Sequence, residues 1–131
     1  MHENELAKIV VDAAYRIHSK LGPGLLESVY QAVLAHELRK AGLHVAIEVS
    51  VPVKWDELLL EVGFRADLVV ENKLLVELKS IEQILSVHKK QVLTYLRLAD
   101  CRLGLLINFG SELIKDGIIR VVNGLPDHPN Q

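Results

Sequence analysis

Two carboxylates in the middle of the chain stand where strand pairing would bring them together. Leu58 to Val70 alternates apolar and polar residues, Leu74 to Lys79 resumes the alternation, and Glu71-Asn72-Lys73 between them is a polar turn. If these three residues form a hairpin loop, Val70 lies opposite Leu74, Leu68 opposite Val76 and Ala66 opposite Leu78, giving one apolar face. On the other face Asp67 falls across from Glu77, and Arg65 across from Lys79. Cross-strand neighbours have Cβ atoms about 4.5 to 5.5 Å apart, so two carboxylates there repel unless a cation or a shared proton lies between them. Oxygen donors with no thiolate or obligatory imidazole favour Mg²⁺ or Mn²⁺, which keep waters and accept one or two carboxylates plus phosphate oxygens. Lys79 emerges on the same face as Glu77, where its ammonium would orient a water or balance charge developing on a phosphoryl group. The plainer reading is a solvated strand face with scattered charges, in which Lys79 only neutralises the acids.

Such a hairpin needs a scaffold, and the periodicity supplies one. From Asn4, read as a cap, to Leu21, apolar residues recur at Leu6, Ile9, Val10, Ala13, Ile17 and Leu21, the spacing of a helix with one buried stripe. Gly22-Pro23-Gly24 interrupts it, and a second helix carries Leu26, Tyr30, Val33, Leu34, Leu38 and Ala41 up to Gly42. The period then drops to two: Leu43 to Val53 places apolar residues at every odd position, a half-buried strand whose Pro52 points to a sheet edge. Beyond Lys79 the spacing predicts a helix over Ile84 to Ala99 and strands over Cys101 to Phe109 and Gly117 to Val122. The sum is an α/β domain over residues 1–124, a central mixed β-sheet flanked by α-helices, with 125–131 as a flexible C-terminal tail.

The residues now on the page resemble a known family. Asp67 followed by Glu77-Leu78-Lys79 at the end of the next strand resembles the motif of the PD-(D/E)XK nuclease superfamily. Gly24-Leu25-Leu26-Glu27-Ser28-Val29-Tyr30 matches the motif that names the GxxExxY protein family, a branch of that superfamily. The similarity runs from about residue 5 to 124, through Gly63-Phe64-Arg65-Ala66-Asp67 and Gly104-Leu105-Leu106-Ile107-Asn108-Phe109-Gly110. The resemblance implies a restriction-endonuclease-like core and a Mg²⁺- or Mn²⁺-dependent nuclease acting on DNA, or on RNA. It implies Asp67 and Glu77 as metal ligands with the backbone carbonyl of Leu78 as a third, and Lys79 positioning the attacking water. Glu27 would be an additional acid near the metal. Gln91 and Tyr95 resemble the QxxxY element of RecB-like nucleases, which completes the site or touches DNA. Ala66 replaces the proline of the superfamily's name and leaves the acid in place.

Several of these residues also have ordinary structural readings. Glu27 lies in the first turn of a helix, where any carboxylate gains from the macrodipole. Tyr30 and Tyr95 sit on helix stripes and read as core packing whose hydroxyls find partners. His88-Lys89-Lys90 would receive a phosphate or form a solvated face. Cys101 reads as a small buried hydrophobe.

Composition excludes whole classes. In 131 residues, 15 Lys and Arg against 17 Asp and Glu give a formal charge of −2, which rules out a histone-like binder relying on bulk positive charge. Half the residues are hydrophobic, enough to fold without disulfides, and a single cysteine fits a reducing, cytoplasmic compartment. No basic segment precedes an apolar signal core, and no apolar run approaches the roughly 18 residues that span a bilayer. The small size, the near-neutral charge and only six aromatics also suit a rival reading, a non-enzymatic binding or regulatory module that retains the fold. A homodimer would enlarge a nucleic-acid groove.

Overall fold

A strand that is apolar on both faces must lie between two layers, and two strands of this chain meet that condition. In the computed structural model, which describes residues 1–126, β4 (Leu103–Asn108) is buried at every position and β3 (Leu74–Lys79) at every position but the last. They pair in parallel, so a crossover must join them, and α3 (Ser86–Ala99) supplies it. Around this pair the sheet is completed by β1 (Val45–Trp55), β2 (Leu58–Val70) and β5 (Ile118–Val122), in the order β1-β2-β3-β4-β5. β1, β2 and β3 form an antiparallel meander and β5 runs antiparallel to β4. The fold is thus α/β with a mixed five-stranded sheet flanked by helices, consistent with a restriction-endonuclease-like core. Helices α1 (Glu3–Leu21) and α2 (Glu27–Lys40) cover one face, packing Leu6, Val10, Leu34 and Leu38 over Leu68, Val76 and Leu105. Helix α3 covers the other, with Val92 and Leu96 against Val69, Leu75 and Leu106. Among the described residues no helix is long and apolar enough to cross a membrane.

Several boundaries move from those read in the sequence. The cap of α1 is His2 rather than Asn4: its Nδ1 accepts the Asn4 N–H at 3.0 Å, and the Asn4 side chain bonds Arg120 instead. β1 begins at Val45, not Leu43, and β4 at Leu103, not Cys101. Helix α3 begins at Ser86, not Ile84, because His88 Nδ1 accepts the Leu85 N–H at 2.9 Å and closes the first turn there. That bond gives His88 a capping role through Nδ1, while Lys89 and Lys90 beside it are exposed. A short 3₁₀ turn, Ile114–Gly117, precedes β5 and displaces its start to Ile118. The outer half of β2 departs furthest, since Leu58, Leu60 and Val62 are about half exposed rather than buried. Of the tail read as 125–131, residues 127–131 lie outside the described residues.

One feature of β1 sets the geometry of its neighbour. Glu48 has φ +51°, a left-handed conformation inside a strand that non-glycine residues seldom adopt. In β2, opposite it, the alternation of side chains reverses: Leu68 packs under α1 and α2, whereas Ala66, two residues earlier, packs under α3. A regular strand would put both on one face.

The junction between α1 and α2 is fixed by Tyr30. Its ring is fully buried and stacks on Phe109 at 4.4 Å between centroids and 4° between planes. Its hydroxyl donates to the Gly22 carbonyl at 2.6 Å and accepts the Leu25 N–H at 3.1 Å. One side chain therefore holds both ends of the Gly22–Leu25 loop that leads into Glu27. Tyr30→Phe keeps the ring and loses both bonds, so it is expected to cost about 1–3 kcal/mol. Urea denaturation monitored by circular dichroism would read this as a lower midpoint with an unchanged slope.

Candidate active site

The site forms where β2 and β3 part. Their pairing runs through Val70–Leu74, Val69–Leu75 and Leu68–Val76, the register read from the three-residue turn, and ends there. Beyond it two side chains replace the backbone ladder. The Asp67 N–H donates to Glu77 Oε1 at 3.1 Å, and the Leu78 N–H donates to Asp67 Oδ2 at 2.7 Å. Each acid thus accepts an amide from the opposite strand, a charge-assisted bond stronger than a neutral one. The expected pairs Ala66–Leu78 and Arg65–Lys79 do not form. Ala66 lies under α3 while Leu78 lies under α1 and α2, because the pleat reverses opposite Glu48.

Both carboxyls are held away from their ordinary ionisation range. Burial pushes Glu77 up to about 7, the negative charge of Asp67 pushes it the same way, and the side chain is almost wholly covered. Asp67 is also raised, first by burial, and the charges of Glu27 and Glu48 add to the effect. The Leu78 N–H and the Lys79 ammonium pull in the other direction. Lys79 does so without a close ion pair to either acid. Glu27 is exposed in the first turn of α2, near enough for its charge to act on both acids. Tyr95 lies on the α3 side, its phenol raised by burial and then by the charges of Glu77 and Asp67. It stacks on Phe64 with centroids 3.9 Å apart and an 11° angle. Gln91, one turn earlier on α3, is exposed and makes no bond to this group.

These donors suit a hard divalent ion. They are all oxygen, and the cross-strand bonds engage Asp67 Oδ2 and Glu77 Oε1, leaving Oδ1 and Oε2 for another partner. The carbonyl of Lys79 accepts the Phe109 N–H on the β4 side at 2.9 Å. Leu78, next along the strand, directs its N–H to the β2 side and its carbonyl with it, into the gap between the strands. Among the described residues no group of three His, Cys, Asp or Glu side chains is arranged to hold a metal alone. Two carboxylates and a carbonyl, with waters completing the shell, match an ion such as Mg²⁺ that keeps its waters. Two raised carboxyls side by side are also the electrostatic condition that a cation relieves.

Two contributors escape sequence reasoning. Glu48 occupies an even position of β1, which reads as solvated, and nothing in the sequence marks its left-handed backbone or its closeness to Asp67. Asn108 is fully buried at the end of β4. Its Oδ1 accepts the N–H groups of Ile81 and Gly110, both at 3.0 Å, and its Nδ2 donates to the Ile81 carbonyl at 2.8 Å. It clamps the segment just after Lys79. A lone amide ending an apolar strand was the available signal. Gly110 must be glycine here, since a Cβ would stand 2.2 Å from the Ile81 carbonyl oxygen.

A family model, that of the PD-(D/E)XK nuclease superfamily, matches residues 4–121. No curated protein and no solved structure matches the chain.

A carboxyl raised by folding destabilises the folded state wherever the unfolded chain would be ionised. For Glu77 that penalty is absent well below pH 4.5, grows through the interval up to about 7 and is full above it. In chelator, therefore, thermal stability should fall as pH rises from 5 to 8, and Glu77→Gln should flatten that fall. Glu48→Asn, which suits a left-handed backbone and removes a like charge beside Asp67, should raise stability by about 1 kcal/mol at pH 8. A midpoint lowered by that substitution would contradict the strain argument.

Proposed function

The chain belongs to the PD-(D/E)XK nuclease superfamily, and from that membership and the arrangement of its acids we propose that it hydrolyses phosphodiester bonds of DNA with a divalent cation, Mg²⁺ or Mn²⁺. The observation that carries the reading is the pair Asp67 and Glu77, each anchored on the other's strand with one oxygen left over, beside Lys79. Within the superfamily we assign the chain to the GxxExxY branch, on Gly24, Glu27 and Tyr30. Support for this lies in their division of labour, since Tyr30 secures the loop that contains Gly24 and opens on Glu27.

Each residue then has a task. Asp67 Oδ1, Glu77 Oε2 and the Leu78 carbonyl would hold the ion, and Glu27 would enter its outer sphere. The ion, when bound, would supply a Lewis acid for a phosphoryl oxygen and lower the pKa of a water. Lys79 Nζ would donate to the attacking water and to the phosphate, fixing the line of attack and offsetting negative charge on the phosphoryl oxygens as it builds. The Tyr95 phenol stays protonated at neutral pH and so would act as a donor, with Gln91 reaching the nucleic acid one turn away.

Calorimetric titration with Mn²⁺ is expected to show binding in the wild type that disappears in Asp67→Asn and in Glu77→Gln. Cleavage of duplex DNA, single-stranded DNA and RNA with Mg²⁺ or Mn²⁺ would then rank the substrates. Lys79→Ala should keep metal binding and lose about 100-fold or more in rate. Unchanged cleavage in these three variants would sink the assignment, while salt-dependent DNA binding without cleavage would favour the non-enzymatic module.

A further inference from the structure

The outer part of the β1–β2 hairpin extends beyond both layers of the core. After a register shift between Val51 and Val53, the strands pair as Val53–Leu60, Lys54–Leu59 and Trp55–Leu58. β3 joins β2 only from Leu68 onward. No residue from Val53 to Val62 belongs to either hydrophobic core or packs against one. Among the described residues the segment is a two-stranded ribbon with no third strand and no helix over it, and such a ribbon alone is marginal in water.

Its side chains are those of a covered surface. Directly paired residues share a face, so Val53, Trp55, Leu58 and Leu60 form one apolar strip. Trp55 is 73 % exposed, Leu58 56 % and Leu60 50 %, with Val62 52 % exposed just beyond. Together they offer on the order of 500 Å² of apolar surface per chain, the upper end of what a soluble monomer leaves open.

Charge narrows the choice of what covers the strip. The rim holds Lys54 against Asp56, Glu57 and Glu61, an acidic balance that repels both nucleic-acid phosphate and anionic lipid. A second copy suits it better. With two ribbons packed face to face about a two-fold axis, each strip is covered by a surface of the same apolar character. We propose that this ribbon is a self-association surface through which two copies of the chain pair. The buried area, about 1,000 Å² in total, stands at the low end of specific interfaces, the range of weak and transient pairs. Nothing in this inference depends on the chemistry of Asp67 and Glu77.

Sedimentation equilibrium of the full chain from 1 to 500 µM tests it. The wild type should move from 14.6 kDa toward twice that mass as concentration rises. Trp55→Ser combined with Leu58→Ser changes only exposed side chains, so its circular dichroism should match the wild type while its dimerisation weakens at least tenfold. A wild-type mass of 14.6 kDa at every concentration overturns the proposal, as does a dimer that the double substitution leaves intact.

Discussion

The site depends on an exchange of hydrogen bonds at the point where two strands stop pairing. Two carboxylates brought together under a sheet would normally force the strands apart or take up a proton. In this chain each accepts an amide of the opposite strand, Asp67 from Leu78 and Glu77 from Asp67. A hydrogen bond to a charged group contributes about 1.5–3 kcal/mol, which is comparable to the penalty of holding like charges close under cover. Neither amide has a backbone ladder partner at this point, so one arrangement satisfies the backbone and holds the acids.

Everything nearby is arranged to keep that exchange from relaxing. β4, buried along its whole length, holds β3 in place through parallel pairing from Leu74 to Lys79. Beyond the strand end, Asn108 holds Ile81 by two hydrogen bonds, and Ser80 Oγ donates to the Leu25 carbonyl at 2.6 Å. Tyr30 holds both ends of the Gly22–Leu25 loop. The entrance to α2 and the exit from β3 are therefore one hydrogen-bonded unit, and Glu27 and Lys79 are carried on its two sides. Tyr30 shapes the site from inside the core without facing it.

Much of this was legible in the sequence, and the exceptions are instructive. The helices and strands followed from period and breakers because burial on one stripe or one face leaves that period in the residue types. The register of β2 on β3 followed from a single short turn, which fixes pairing nearby and loses hold further out. It failed beyond the Leu68–Val76 pair, since a left-handed glutamate in β1 is invisible to any rule that treats Glu at an even strand position as solvated. The outer half of β2 misled for another reason: alternation shows that a face is apolar, not that this chain supplies the cover for it. Asp67, Glu77, Lys79 and Tyr95 came together as their spacing and the family motif implied, whereas the grip of Asn108 needed the three-dimensional path of the 80–81 segment.

The left-handed Glu48 explains why the acids are available at all. Such a conformation costs on the order of 1 kcal/mol in a residue with a side chain, and a strand has no need of it for pairing. Its effect is to reverse the pleat of β1, and of β2 opposite, so that Ala66 turns toward α3 while Leu68 stays toward α1 and α2. The residue between them is Asp67. With the pleat reversed there, the Asp67 N–H, which a regular strand would direct toward β1 as it does that of Glu71, turns to the β3 side and meets Glu77, and β2 leaves β3 at that residue. A regular β1 would have kept β2 flat against β3, paired Ala66 with Leu78 and closed the gap into which the Leu78 carbonyl turns. Local strain in one strand thus opens the space between the next two, and the acids that occupy it do so at the expense of their own ionisation.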